Sequence, residues 1–233
     1  MSKNFDKFID RISNDNVKKI WSSVPGVKKK FFDFFYEQIL NYDKPQILEF
    51  GVRNGTSTAL FLDICNEKNG NLFSVDNKDY SFQFKDKKWK FILSKDTDFD
   101  IVNKEIPSQL DVIFLDTIHE AEHVSKIFYH YYNKLKVNGL FLIDDTSWLL
   151  YTKNNSENHF YKEINNYETF KKVLEIYNNN RDKFDIHVNF CDTGAVKIIK
   201  RTQENLSESA RIYSRENTIK NYMRKLFIKF LKY

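Results

Sequence analysis

Three stretches of the chain put polar side chains where an apolar run gives way to a turn. In ILEFGVRNGTST, Glu49 ends the run, Gly51 and Gly55 follow, and Asn54, Thr56 and Ser57 lead into a helix-length segment. Glycines let backbone approach a ligand, and a helix N-terminus offers unpaired N–H groups. The Gly-x-x-x-Gly spacing departs from the Gly-x-Gly-x-x-Gly that seats a pyrophosphate. An acid two residues before the first glycine disfavours phosphate and welcomes a cationic amine. The alternative is a tight strand-to-helix turn with no ligand. In SVDNKD, Asp76 and Asn77 close the next apolar run, and Asp76 stands where an acid can accept hydrogen bonds from both hydroxyls of a ribose. In DVIFLDTIHEAEHV and GLFLIDDTSW, two runs end on Asp116 with His119 and on Asp144 with Asp145. Acids gathered at neighbouring strand ends are costly unless a metal, protons or cations neutralise them.

The elements that carry these residues follow from periodicity. Helical spacing over 3–22 and 27–41, separated by Pro25 and Gly26, predicts two N-terminal helices. Strands are predicted at 46–50, 71–75, 90–94, 111–115 and 139–143, with helices at 56–67, 98–105 and 120–135 between them. A further helix is expected at 166–180. Segments 184–190 and 195–200 are joined by four residues, too few for a parallel crossover, so they form an antiparallel hairpin. The fold class is therefore α/β, a Rossmann-like doubly wound sheet of five parallel strands plus a C-terminal hairpin, seven strands with helices on both faces. The organisation read is a helical cover at 1–41, a catalytic domain at 42–202 and a basic amphipathic helix at 203–233.

Glu49-x-Gly51-x-x-x-Gly55 with Asp76 downstream, on this topology, resembles the cofactor site of class I S-adenosylmethionine-dependent methyltransferases. The resemblance implies that the glycine turn packs on the methionine portion, that Glu49 serves its ammonium and that Asp76 holds the ribose. It places Asp96 or Thr97, in SKDTD, at the base edge. The ends of the fourth and fifth strands are similar to those of small-molecule and sugar O-methyltransferases, the cephalosporin hydroxylase and macrocin O-methyltransferase-like group. Several of these bind magnesium at the positions of Asp116, Asp144 and Asp145. Where they carry a second acid this chain has Ile118, which leaves His119 beside Asp116 as the base for an acceptor hydroxyl. The implied cofactor is S-adenosylmethionine, with Mg²⁺ admitted beside it, and the implied acceptor is a glycan or small molecule. Two simpler readings stand against the last assignments: His119 as a helix cap, and Asp144 and Asp145 as a turn without metal. His123 and His130 read as surface or packing residues, and Trp148, Tyr151, His159, Phe160 and Tyr161 as candidates for acceptor contact.

Composition narrows the remaining classes. With 41% hydrophobic and 30% charged residues, and only 6 Gly and 3 Pro, collagen-like and broadly disordered chains are excluded. The two cysteines, Cys65 and Cys191, are isolated and offer neither a zinc spacing nor a disulfide framework. The net charge is +5, but residues 211–233 hold seven basic residues against Glu216, so the rest of the chain sums to −1. A near-neutral body makes nucleic acid an unfavoured partner. The basic tail carries an apolar stripe at helical spacing, for which a second subunit in a homo-oligomer, an anionic membrane surface and the chain's own domain compete. A cytoplasmic location, peripheral to a membrane if the tail binds one, is the expectation. A nicotinamide oxidoreductase would share the ribose acid but lacks its phosphate-binding glycines here. A catalytically silent cofactor-binding subunit is the second alternative.

Overall fold

The structure is a computed structural model that describes residues 3–146, 160–213 and 218–231. Its centre is a seven-stranded sheet: β1 (Gln46–Phe50), β2 (Asn71–Asp76), β3 (Trp89–Leu93), β4 (Leu110–Leu115), β5 (Leu135–Asp144), β6 (Phe184–Asn189) and β7 (Ala195–Lys200). The order is β3-β2-β1-β4-β5-β7-β6, and β7 runs antiparallel to both of its neighbours. The doubly wound sheet with a closing hairpin is thus the fold observed.

Side-chain alternation along each strand divides the core into two layers. Ile47, Val112, Phe114, Leu140 and Leu142 face the N-terminal helices and α5 (Thr56–Lys68). Leu48, Phe50, Ile113, Leu115 and Phe141 face the opposite layer, where α6 (Phe99–Glu105), α7 (Ala121–Tyr132) and α8 (Phe160–Asn178) contribute Val102, Phe128 and Val173.

The N-terminal helices differ from the sequence expectation. The predicted helix over 3–22 is broken into α1 (Lys3–Arg11) and α2 (Asp15–Ser23), because Asn14 Oδ1 accepts the backbone N–H groups of Asn16 and Val17 and caps a fresh start. The next stretch begins at α3 (Pro25–Val27), continues as a π-helical segment, Lys28–Tyr36, and finishes as α4 (Glu37–Ile39). Hydrogen bonds from i to i+5 widen the turn. Lys30, Phe31, Phe32, Phe35 and Tyr36 are all buried within this one segment. Phe31 and Phe35 pack on Phe114 of β4, and Trp21 Nε1 donates to the Thr56 carbonyl at 3.1 Å. These helices are therefore built into the same core as the sheet.

Two boundaries also shift. β5 starts at Leu135, opposite Leu110, so α7 stops at Tyr132 rather than at 135. Helix α8 begins at Phe160, six residues before the expected start. Helix α9 (Ile219–Leu231) realises the amphipathic tail, and its Ile219, Tyr222, Met223, Phe227 and Phe230 are exposed.

Candidate active site

The carboxyl ends of β1, β2 and β4 open onto a cavity of about 560 Å³. Its wall contains Gly51, Arg53, Asp76, Asp96, Asp116 and His123. Gly51 has to be glycine: its φ is +93°, and a Cβ would fall 2.0 Å from the Asp116 carbonyl oxygen. Its N–H donates to the Val75 carbonyl, and the Asp116 N–H donates to the Phe50 carbonyl, both at 2.9 Å. The ends of three strands are thereby held together at the cavity floor.

Asp76 is fixed by backbone donors. Its Oδ2 accepts from Val52 N–H at 2.9 Å and Arg53 N–H at 3.4 Å, and its Oδ1 from Lys78 N–H at 3.0 Å. Asn77, Thr97 and Ile118 also border the cavity, as does Thr117. Asp96 is buried, and its Oδ2 accepts Thr117 Oγ1 at 2.5 Å and meets His123 Nε2 at 2.7 Å. Burial works against the Asp96 charge, but hydrogen bonds from His123 and Thr117 outweigh it and hold the carboxyl below its ordinary range.

Several sequence expectations are corrected here. Glu49 does not reach the cavity, because it shares the face of β1 that Ile47 presents to α5. It is fully buried, and its two oxygens accept Ser57 Oγ at 2.6 Å, Thr58 Oγ1 at 2.9 Å and Ser74 Oγ at 2.6 Å. Burial pushes its carboxyl up to about 7 despite those three donors. Glu49 ties β1, β2 and α5 together, and Ser57 belongs to that bundle rather than to a ligand. The second glycine is also turned away: Gly55, with φ +75°, lies beneath Gln83 and Phe84, which occupy the space a Cβ would need. Asn54 is exposed but off the cavity wall, and the Thr56 carbonyl is taken by Trp21. His123, read as surface or packing, lines the cavity instead.

β4 and β5 are adjacent, so their terminal acids converge as expected. His119 Nε2 lies 3.5 Å from Asp116 Oδ1 and 3.3 Å from Asp145 Oδ2. Asp145 has φ +53°, a left-handed conformation that Asp tolerates better than most residues. The magnesium expectation meets an obstacle that the sequence did not reveal. Lys30 Nζ stands 2.5 Å from Asp144 Oδ1 and 3.2 Å from Asp145 Oδ1, and it also donates to Thr193 Oγ1. Burial opposes charge on Lys30, but Asp144 and Asp145 outweigh it and raise the ammonium above its ordinary range. Desolvation and mutual repulsion push Asp116 and Asp144 upward, while Asp145, though desolvated, is held low by His119 and Lys30. Among the described residues no group of three or more His, Cys, Asp or Glu side chains is arranged to hold a metal ion. The three acids do not fit magnesium as they stand. Buried Lys30, and Arg53, Lys78 and Lys95 on the exposed border of the cavity, were missed because nothing in a lysine-rich chain marks which cations stand at a site. Trp148, Tyr151 and His159 lie outside the described residues, as do the side chains of Phe160 and Tyr161.

Residues 48–146, which span the cavity floor and the acid cluster, match the family model described as a methyltransferase domain. Over these residues the chain is similar to methyltransferase domains. Solved structures agree in fold. The methyltransferase MycE of the mycinamycin biosynthetic pathway, in complex with Mg, SAH and mycinamycin VI, superposes with a TM-score of 0.54 at 17% identity, covering 76% of this chain and 50% of that one. A Staphylococcus aureus protein described as a caffeoyl-CoA O-methyltransferase gives 0.56 at 17% identity, covering 85% and 100%. A Clostridium thermocellum protein described as an rRNA methylase gives 0.55 at 16% identity, covering 75% and 98%. This chain thus spans about half the length of MycE. The comparison with curated protein sequences finds no match. Among the described residues, no helix is long and apolar enough to cross a membrane.

Proposed function

We propose that the protein transfers a methyl group from S-adenosylmethionine to a hydroxyl of a small molecule, with a sugar or glycan hydroxyl as the preferred acceptor. The observation that carries this reading is the set of three carboxylates, Asp76, Asp96 and Asp116, on the wall of one cavity beside the Gly51 turn. A ligand that presents ribose hydroxyls, an amino group and a sulfonium matches acceptors of that kind. When bound, S-adenosylmethionine supplies a methyl group already activated by a positive sulfur.

The chain's own part is alignment and proton removal. Asp76, held by three backbone N–H groups, is aimed to accept the ribose hydroxyls. Asp96, fixed by Thr117 and His123, and Thr97 border the same space for the base edge. Asp116 borders both the cavity and His119. His119 takes the proton of the acceptor hydroxyl, and Asp145, 3.3 Å from its Nε2, stabilises the imidazolium that forms. The acceptor oxygen bonds to the methyl carbon as the carbon–sulfur bond breaks, and the bonding pair stays on sulfur.

The hydroxyl acceptor draws support from the O-methyltransferase among the similar folds, and the sugar preference from the resemblance at the strand ends. The near-neutral body argues against nucleic acid, although one similar fold is described as an rRNA methylase. Ile118 in place of a second acid favours the competing reading of a cofactor-binding subunit without turnover. The contacts of His119 with two carboxylates favour catalysis. The exposed apolar face and basic residues of α9 support peripheral contact with an anionic membrane, where a lipid-linked glycan would be met.

Calorimetric titration with S-adenosylhomocysteine, repeated with NAD, tests the cofactor class. Micromolar binding of the first and none of the second supports the reading, and an acceptor screen on sugars follows. No binding of S-adenosylhomocysteine overturns it.

A further inference from the structure

The acidic end of β4 and β5 contains its own cation. The Lys30 side chain is 4% exposed and reaches both members of the Asp144–Asp145 pair from the π-helical segment, 114 and 115 residues away in sequence. A buried ammonium is costly unless it is paired and its N–H groups are satisfied. Here Asp145 and Thr193 accept its N–H groups, and Asp144 Oδ1 pairs with its charge at 2.5 Å. The segment is held in place by Phe31, whose ring packs edge-on against Phe114 of β4 at 5.7 Å between centroids. The wide turn that seats Phe31 also aims its neighbour Lys30 at the end of β5.

A magnesium ion needs a near-octahedral shell of oxygens at short range. Four of the six carboxylate oxygens here already face a cationic or basic group: Asp144 Oδ1 and Asp145 Oδ1 lie 2.5 and 3.2 Å from Lys30 Nζ, and Asp145 Oδ2 and Asp116 Oδ1 lie 3.3 and 3.5 Å from His119 Nε2. We propose that Lys30 is a positioning residue that does the work of a divalent cation at this strand end: it neutralises Asp144, holds Asp145 against His119, and leaves the site with no requirement for a dissociable metal. The inference rests on the methyl-transfer reading of the same site and deepens it.

The test is titration of the full chain with Mn²⁺, followed by electron paramagnetic resonance of the bound ion. Wild type and Lys30→Arg are expected to bind no Mn²⁺ at concentrations up to ~1 mM, the arginine retaining the internal charge. Lys30→Met is expected to bind one ion at least about tenfold more tightly than wild type, because Asp144 and Asp145 lose their internal cation. Adding Asp144→Asn to Lys30→Met should abolish that binding. Stoichiometric Mn²⁺ on the wild-type chain, removed by Asp144→Asn, overturns the proposal, and this comparison stands even if Lys30→Met fails to fold. A Lys30→Met protein with a native circular-dichroism melt that still takes no Mn²⁺ also overturns it. Failure of the wild-type chain to bind S-adenosylhomocysteine would count against the methyl-transfer reading separately, since the Mn²⁺ comparison does not depend on it.

Discussion

His123 Nε2 and Thr117 Oγ1 converge on one oxygen of Asp96, at 2.7 and 2.5 Å. The first partner lies on α7 and the second in the turn after β4, so the loop bearing Asp96 is locked to the edge of the cavity. Asp96 has its carboxyl held low by these donors, so the arrangement persists at neutral pH and is lost as pH falls through that depressed value. His123→Ala should therefore weaken S-adenosylhomocysteine about tenfold, roughly the 1.4 kcal/mol of one charge-assisted hydrogen bond. Calorimetry at neutral pH checks this, and an unchanged affinity would remove Asp96 from the cofactor wall.

Asp76 is held by three backbone donors and presents what remains of its acceptor capacity to the cavity. Asp76→Ala should cost roughly 2–3 kcal/mol of cofactor affinity, about 30- to 150-fold. Asp144→Asn, away from the cavity wall, should spare it. Equal loss in both variants would show that the cofactor and acid clusters are not separate.

Glu49 gives the fold a measurable pH dependence. Its carboxyl rises from 4.5 to about 7 because burial dominates. The native state thus keeps a proton that the unfolded chain releases, and stability falls as pH rises between those values, then levels off. The slope for one such group is at most about 1.4 kcal/mol per pH unit. Asp116 and Asp144 act with the same sign. Urea denaturation at several pH values should show the decline in wild type and a shallower one in Glu49→Gln. An identical slope in the variant would mean that Glu49 is ionised throughout.

Lys200 is buried, and its ammonium donates to the carbonyls of Tyr132 at 3.0 Å and Leu135 at 2.8 Å, closing the C-terminal end of α7. Lys200→Met should destabilise the protein by about 1–3 kcal/mol, because both carbonyls lose a charged donor away from water. A denaturation midpoint equal to wild type would show that other groups satisfy those carbonyls.

Helix α9 leaves Ile219, Tyr222, Met223, Phe227 and Phe230 exposed beside Lys220, Arg224 and Lys225. Cosedimentation with phosphatidylserine vesicles should exceed that with neutral vesicles and fall as salt is raised. Equal sedimentation in both would leave a second subunit as the partner of that face.

The sheet was legible in the sequence because parallel strands covered on both sides are near-continuous apolar runs, as in DVIFL and GLFLI, and because the five residues between β6 and β7 leave no room for a crossover. Asp76 and Asp116 were legible for the same reason, since a residue that ends such a strand must emerge at its carboxyl edge. Glu49 was misread by one step of alternation: it belongs to the face of β1 that turns to α5, where three hydroxyls enclose it. Gly55 was read as open backbone, but the loop carrying Gln83 and Phe84 covers it. Local pattern thus determined the elements, their order and the acids at the strand ends. Lys30 and His123 were decided by tertiary structure alone. Their partners, Asp144 and Asp96, are distant in sequence, and a buried charge is identified by what surrounds it in space rather than by its chain neighbours.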